Sequence, residues 1–300
     1  MRVTLALLVL AACSPLPEHS APVAAAPAPA SAVYIPQLEL KKLRFGLIPY
    51  LTKETIRRGH EPLAEYLGKS LSVPVELAIA DSYGNAIDRL VKGDFDVVEL
   101  SPYAFAQAER RVPLRCLAQS ILNGSATTTG YIVVRDDSPI RGVEQLKGSQ
   151  FAFVDPSSTA GYLYAAKALR DNGIDPRRDF ATVEFLGNHE AVLLAIFQGR
   201  VDAGATYQGA FHALQASKGI DPLSFRVIAK TPRMPNDLIC VPASAPKELG
   251  DALARALLSL SIRARDGRTV LGPLNINGYQ AADDATYDGV RRIAAEIGPP

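Results

Sequence analysis

Short apolar runs alternate with amphipathic stretches along the chain from residue 43 onward. Residues 43–48 read as a first strand, which Pro49-Tyr50 ends. Residues 54–67 have helical spacing, with Leu63, Tyr66 and Leu67 on one face and Gly68 near the end. A strand is expected at 73–79, a turn at Asp81-Ser82-Tyr83-Gly84, and a helix at 85–92 closed by Gly93. Residues 95–100 are apolar on both faces, as a buried parallel strand is. Ser101-Pro102-Tyr103 opens another helix, and 114–119 reads as a fourth strand. After the polar stretch 123–130, a strand resumes at 131–134 and a turn with a short helix covers 138–146. A second series follows: strand 151–154, helix 160–171, strand 182–186, helix 189–198 and strand 201–205. Strands at 225–229 and 238–241, and helices across 246–265 and 283–296, complete the pattern. Strands alternating with helices at these spacings predict an α/β protein with parallel sheets.

One local pattern occurs twice. Lys92-Gly93-Asp94-Phe95-Asp96 and Gln198-Gly199-Arg200-Val201-Asp202 each link a helix to an apolar strand. The glycine suits a helix C-terminus, and the aspartate three residues on precedes the buried strand. One copy is an ordinary helix-to-strand turn. Two copies, each in its own α/β series, predict two similarly built lobes. Ligands of open α/β sheets sit at the carboxyl ends of strands, so two facing lobes make a cleft. The expected division is 41–130 plus 238–300 for lobe one and 131–237 for lobe two.

Composition adds an address and removes some function classes. The chain is 48% hydrophobic over 300 residues and carries a formal net charge of +1, which offers no broad basic footprint for nucleic acid. Met1-Arg2 and the apolar segment Val3–Ala12 lead into Leu10-Ala11-Ala12-Cys13. The apolar segment is too short to span a bilayer. The tetrapeptide resembles the bacterial lipobox, so residues 1–13 are expected to be a lipoprotein signal peptide with Cys13 as the lipidated residue. An ordinary signal peptide is the alternative. Residues 14–40 are rich in Ala and Pro towards their start and are expected to be a tether between lipid and domain. The expected address is the periplasmic side of a bacterial membrane, with the lipid as the only membrane contact. Cys116 and Cys240 remain, either as a disulfide or as two buried thiols. The four histidines show no metal-ligand spacing, and no motif calls for a cofactor.

The candidate chemistry centres on residues 151–163, FAFVDPSSTAGYL. A strand ends at Asp155-Pro156, hydroxyl residues Ser157, Ser158 and Thr159 follow, and Ala160-Gly161 open a helix. The first turn of a helix has free N–H groups at the positive end of the macrodipole, which suits an anion. Small side chains there leave the backbone open to close approach. The simpler alternative is that Ser157 or Ser158 only caps the helix. Other predicted strand ends carry Tyr50, Tyr83, Ser101 with Tyr103, His189 and Tyr207, and Asp237 lies just before a strand. His189 at a helix start could donate to an anion or lie on the surface beside an Asn188 cap. Tyrosines are commonly packing residues. Ser158 and His189 could be taken as part of a hydrolytic triad, but no nucleophile elbow accompanies them.

FVDPSSTAGYL resembles the DPxSTSGxL stretch of phosphonate- and phosphite-binding proteins of ABC transporters. The resemblance extends through FGLIPY at 45–50, PLAEYL at 62–67, GDFDVVEL at 93–100, GNHEAVLLAIFQGRVDAGA at 187–205 and TPRMPND at 231–237. It implies a type II periplasmic-binding fold, two lobes closing on a phosphorus oxyanion. It further implies that Ser158, Thr159, Ala160 and His189 hold the anion and that Tyr83 contacts it. Ala160 replaces the third hydroxyl of the turn. The family's tyrosine after the next strand is absent, with Leu100 beside Ser101 in its place. Of the two carboxylates that receive a ligand amine in aminoalkylphosphonate binders, Asp237 matches one and Gly209 stands at the other. That loss favours phosphite, phosphate or methylphosphonate over 2-aminoethylphosphonate. The implied function is capture of a small phosphorus oxyanion for an ABC permease, without catalysis. A sensing lipoprotein of the same fold and a periplasmic hydrolase using Ser158 and His189 are the alternatives.

Overall fold

The computed structural model describes residues 40–300. The expectations for the signal peptide, Cys13 and most of the tether lie outside the described residues. The chain builds β1 (Leu43–Leu47), α1 (Lys53–Leu71), β2 (Val75–Ile79), α2 (Tyr83–Val91), β3 (Val97–Leu100), α3 (Pro102–Ala108) and β4 (Leu114–Ile121). It then crosses through β5 (Thr127–Thr128) into β6 (Gly130–Arg135) and β7 (Gln150–Phe153). A π-type turn at Thr159–Leu163 runs into α4 (Tyr164–Asp171), followed by β8 (Thr182–Phe185), α5 (His189–Phe197), β9 (Ala203–Tyr207), α6 (Gln208–Lys218) and β10 (Phe225–Lys230). It returns through β11 (Met234–Pro235) to β12 (Leu238–Pro242), α7 (Lys247–Ser259), α8 (Arg265–Leu271), β13 (Gly278–Ala281) and α9 (Asp288–Ile297).

Two sheets result, ordered β13-β4-β12-β3-β1-β2 and β10-β6-β9-β7-β8. They are mixed, not parallel throughout as the alternation suggested. β1, β2 and β3 run parallel, as do β7, β8 and β9, but β12 is antiparallel to both β3 and β4, and β6 is antiparallel to β9. The cause is topological. β4 leaves lobe one and β12 re-enters it beside β4, so the two must run in opposite directions. At the crossing, β5 and β11 pair as a two-residue antiparallel ribbon. Helix α6 and strand β13 were not foreseen from the pattern.

The repeated glycine–aspartate turn does the same work in both lobes. Asp96 Oδ2 accepts from the Arg44 N–H at 2.7 Å, and the Asp96 N–H donates to the Arg44 carbonyl at 2.9 Å. Asp202 Oδ2 accepts from the Gln150 N–H at 2.8 Å, and the Asp202 N–H donates to the Gln150 carbonyl at 3.0 Å. Each aspartate thus clamps the start of its lobe's first parallel strand, which fixes the register that aims the strand ends at the cleft. Helix α9 follows lobe one's β13 in the chain yet packs on both α3 and α4, placing Val290 and Ile297 in lobe two's core. Cys116 and Cys240 are cross-strand partners on β4 and β12; they are free thiols with sulfurs 3.9 Å apart.

Candidate functional site

The cleft is lined by equivalent positions of the two lobes. Ser82 Oγ caps α2 by accepting from the Asn85 N–H at 3.0 Å, and Asn188 Oδ1 caps α5 by accepting from the Ala191 N–H at 2.8 Å. The next residues, Tyr83 and His189, are the first of their helices and are both buried. Tyr50 lies beyond β1, Ser101 caps α3 beyond β3, and Tyr207 ends β9. Strand carboxyl ends and helix starts therefore place these side chains.

The turn at 155–163 is built by its small residues. Asp155 Oδ1 accepts from the Ser157 N–H at 2.8 Å, and Ser158 Oγ accepts from the Gly161 N–H at 3.0 Å. A Cβ at Gly161 would lie 2.3 Å from Val154 Cγ2, so only glycine lets the turn pack on the end of β7. The π-type turn, with Leu163 N–H reaching the Ser158 carbonyl at 3.0 Å, widens the helix start. The N–H groups of Thr159 and Ala160 fall in the first turn and have no intrahelical acceptor. Ser158 thus does cap the helix, as the simpler reading held, but its oxygen only accepts there. Its hydroxyl also hydrogen-bonds the Tyr83 phenol, which lines the same cavity.

Hydrogen bonds cross between the lobes around this turn. Thr159 Oγ1 accepts from the Tyr103 N–H at 2.8 Å, Asp155 Oδ2 from the Tyr83 N–H at 3.3 Å, and the Ser157 carbonyl from Ser101 Oγ at 3.3 Å. On the opposite flank, the His189 N–H donates to the Tyr50 carbonyl at 3.0 Å and the Thr52 N–H to Glu190 Oε1 at 3.3 Å. The lobes are closed on one another.

They enclose a cavity of about 110 Å³. It is smaller than the roughly 300–1,000 Å³ typical of drug-sized ligands and large enough for a small ion. Nine of the residues singled out from the sequence line it, Tyr50, Tyr83, Ser101, Ser158, Thr159, Ala160, His189, Tyr207 and Asp237, while Ser157 and Tyr103 do not. Among the described residues, no lysine or arginine does. Burial pushes the His189 imidazole down to about 3, so the ring is neutral at neutral pH, with Nδ1 3.2 Å from Thr206 Oγ1. Burial pushes the Asp237 carboxyl up to about 8, and the nearby Glu99 charge acts in the same direction. Burial also raises the Tyr50, Tyr207 and Tyr279 phenols, with negative charge from Glu99 adding to each and no hydrogen bond from the protein contributing.

Several lining residues were not identified from sequence. Glu99 lies on β3 within an apolar run that reads as wholly buried. Its Oε2 is 3.0 Å from Nε2 of the buried His60 on α1. Glu99 is thus a second acid in the cavity beside Asp237, on a different element from Gly209. Gly209 itself is constrained, because a Cβ there would lie 2.5 Å from the Tyr207 ring. Ser120, Asn236 and Tyr279 also line the cavity; no local pattern marks them, because their neighbours come from distant segments. Asn236 Nδ2 donates to the Ser120 and Ser125 carbonyls at 3.0 and 2.8 Å, which fixes the amide and leaves its buried Oδ1 without a donor. The hydrolase arrangement is not built. Ser158 Oγ meets the Gly161 N–H and His189 Nδ1 meets Thr206, so the two side chains form no nucleophile–base pair.

Residues 45–287 match the family model described as ABC transporter, phosphonate, periplasmic substrate-binding protein. The chain is 22% identical over 275 residues to the phosphate-import protein PhnD of Mycolicibacterium smegmatis, covering 85% of this chain and 86% of that protein. The structure of PhnD1 from Prochlorococcus marinus in complex with methylphosphonate superposes with a TM-score of 0.78 at 21% identity, covering 86% of this chain and 98% of that one. A third relative is the tetrathionate sensor histidine kinase TtrS of Salmonella typhimurium, 30% identical over 146 residues, which is 45% of this chain and 24% of the kinase. The chain belongs to the periplasmic phosphonate substrate-binding protein family of ABC transporters, with the type II periplasmic-binding fold. It is a substrate-binding protein, not an enzyme.

Proposed function

We propose that this family member is a lipid-anchored periplasmic protein that captures a small phosphorus oxyanion and delivers it to an ABC permease. The ligand class is phosphite, phosphate or a small phosphonate. One observation carries the reading: donors from both lobes converge on one small cavity at the start of α4. The N–H groups of Thr159 and Ala160 and the hydroxyls of Ser158 and Thr159 face the anion. Neutral His189 and the Tyr50, Tyr83 and Tyr207 phenols complete the donor set; Ser101 lines the cavity with its hydroxyl donated to the Ser157 carbonyl, and the Asp237 carboxyl, protonated at neutral pH, can donate as well. Hydrogen bonds to a charged group are strong when desolvated, so neutral donors hold an oxyanion without a lysine or arginine.

Closure is part of the mechanism. The Thr159, Asp155 and Ser157 contacts to lobe one form only when the lobes meet, and the same turn holds the anion. Ligand binding therefore favours the closed state, which is the form a permease would read. Cys13 and the tether would keep the domain at the membrane. The tests are calorimetry with phosphite, phosphate, methylphosphonate and 2-aminoethylphosphonate, and mass spectrometry of the mature N-terminus. A folded protein that binds none of the four refutes the ligand class, and an unmodified Cys13 in the mature chain refutes the anchor.

The TtrS match favours one second reading, in which the same lobes report ligand to a membrane partner. Ligand uptake by cells carrying or lacking the gene separates the two: transport requires the protein for uptake, and sensing leaves uptake unchanged.

A further inference from the structure

Neither Cys116 nor Cys240 lines the cavity. They sit on the strands by which the chain leaves lobe one and returns to it, Cys116 on β4 and Cys240 on β12. One irregularity brings them together. β12 pairs with β4 through Leu238–Gln119 and Ile239–Ala118, and the register then slips by one residue so that Cys240 faces Cys116. The slip leaves Leu117 without a partner on β12. Without it Cys240 would face Leu117, and Cys116 would point to the other side of the sheet. The bulge thus puts both sulfurs on one face, 3.9 Å apart. Directly opposed residues of antiparallel strands have Cα atoms about 4.5–5.5 Å apart, inside the roughly 4.4–6.8 Å that a disulfide spans. The remaining approach of the sulfurs, to about 2 Å, is within reach of side-chain rotation.

The surroundings favour the bonded form. Cys240 is fully buried and Cys116 is part-exposed. Burial pushes the Cys240 thiol up, and Cys116 and the charges of Glu109 and Asp284 act in the same direction. The phenol of Tyr287, just before α9, is buried without a hydrogen-bond partner. Burial raises it too, and charge on Cys240 or Cys116 adds to the effect. A thiolate is therefore disfavoured at Cys240, whereas a disulfide is uncharged and needs no hydrogen-bond partner. Cys116 is the sulfur that an oxidant can reach. The family works in the periplasm, where disulfides form and persist.

We propose that Cys116 and Cys240 are joined as a disulfide in the periplasmic protein, a staple that closes the chain segment containing lobe two. In the reaction, the Cys116 thiolate attacks one sulfur of an incoming disulfide oxidant and expels a thiol. Cys240 then gives up its proton, attacks the mixed disulfide at the Cys116 sulfur and expels the second thiol. The two electrons and two protons leave on the oxidant, now two thiols. The staple braces the end of the β4–β12 ladder away from the cavity, into whose wall the other end carries Ser120 and Asp237.

The experiment uses the full chain produced in the periplasm, with free thiols blocked before non-reducing digestion and mass spectrometry. The expected result is a linked Cys116–Cys240 peptide pair with neither cysteine blocked. The linked protein should melt about 5–15 °C above the same protein kept reduced with dithiothreitol, the span of one disulfide in a chain of this size. Cys116→Ser and Cys240→Ala should melt at one temperature with or without dithiothreitol. Should either variant fail to fold, the wild-type comparison carries the test. Both cysteines blocked in the periplasmic protein would overturn the proposal, as would Cys116 carrying a small thiol with Cys240 free. A linked protein whose melting temperature does not move on reduction would overturn the staple.

Discussion

Thr159 is the residue at which closure and anion binding meet, and its replacement has a magnitude that can be worked from the contacts. It is 3% exposed, and its Oγ1 accepts the Tyr103 N–H at 2.8 Å across the cleft. With that lone pair engaged, the hydroxyl hydrogen is left for the ligand. Thr159→Ala removes both interactions in the closed, liganded state. Loss of one hydrogen bond to a charged oxygen costs about 1.5–3 kcal/mol, and loss of the neutral bond from Tyr103 adds about 0.5–1.5 kcal/mol. The sum, about 2–4.5 kcal/mol, weakens binding by roughly 30- to 2,000-fold. In the open state the Tyr103 N–H is free to meet water, so the loss should fall on binding more than on folding. Calorimetric titration with the tightest oxyanion of the panel measures it, with Thr159→Ser as the control that keeps the hydroxyl. The expected pattern is a large loss in the alanine variant and a loss of a few-fold at most in the serine variant. An alanine variant within threefold of wild type would refute the placement of Thr159 at both the anion and the lobe contact.

Three further outcomes follow from the geometry. Asp237 has a folded-state pKa raised to about 8 from an ordinary 3.8, so between those values the folded protein holds the extra proton and ligand-free stability falls as pH rises. His189, lowered to about 3 from 6.5, works in the opposite direction: stability falls as pH drops from 6.5 towards 3. The two slopes oppose one another between about 4 and 6.5, and Asp237 acts alone from about 6.5 to 8, where Asp237→Asn should flatten the decline in melting temperature. Gly161→Ala drives a methyl into Val154 and should cost roughly 1–3 kcal/mol in chemical denaturation, with weaker oxyanion binding in the folded fraction. Asp202→Ala removes the clamp on the Gln150 N–H and should cost about 1 kcal/mol in the same assay; an unchanged midpoint would contradict the clamp.

What was legible in the sequence was whatever local pattern encodes. The hydroxyl-rich turn at 157–159 and the two glycine–aspartate turns are short-range devices, and their residues are adjacent in the chain. The series of strands and helices followed for the same reason. Strand direction is not local: the antiparallel insertion of β12 between β3 and β4 follows from the chain crossing to lobe two and back, which no hydrophobic period records. Helix α6 escaped notice because its sequence, QGAFHALQASK, has a glycine in its first turn and only Phe211 and Leu214 as large apolar residues. Strand β13 is only four residues, two of them exposed. Glu99 is the most instructive omission. Inside GDFDVVEL it looks like an isolated polar residue in a buried strand, and its role depends on His60, thirty-nine positions away. It places a second acid in the cavity beside Asp237, on a different element from Gly209.

The central claim is that the anion sits at the start of α4 between the closed lobes. Its most direct test is a crystal structure with methylphosphonate bound, read at the phosphorus position. The expected result is a phosphonate whose oxygens accept from the Thr159 and Ala160 N–H groups and the Ser158 and Thr159 hydroxyls, with the lobes closed around it. A phosphonate bound elsewhere, or in this cavity with its oxygens turned away from the 158–160 turn, would contradict the account.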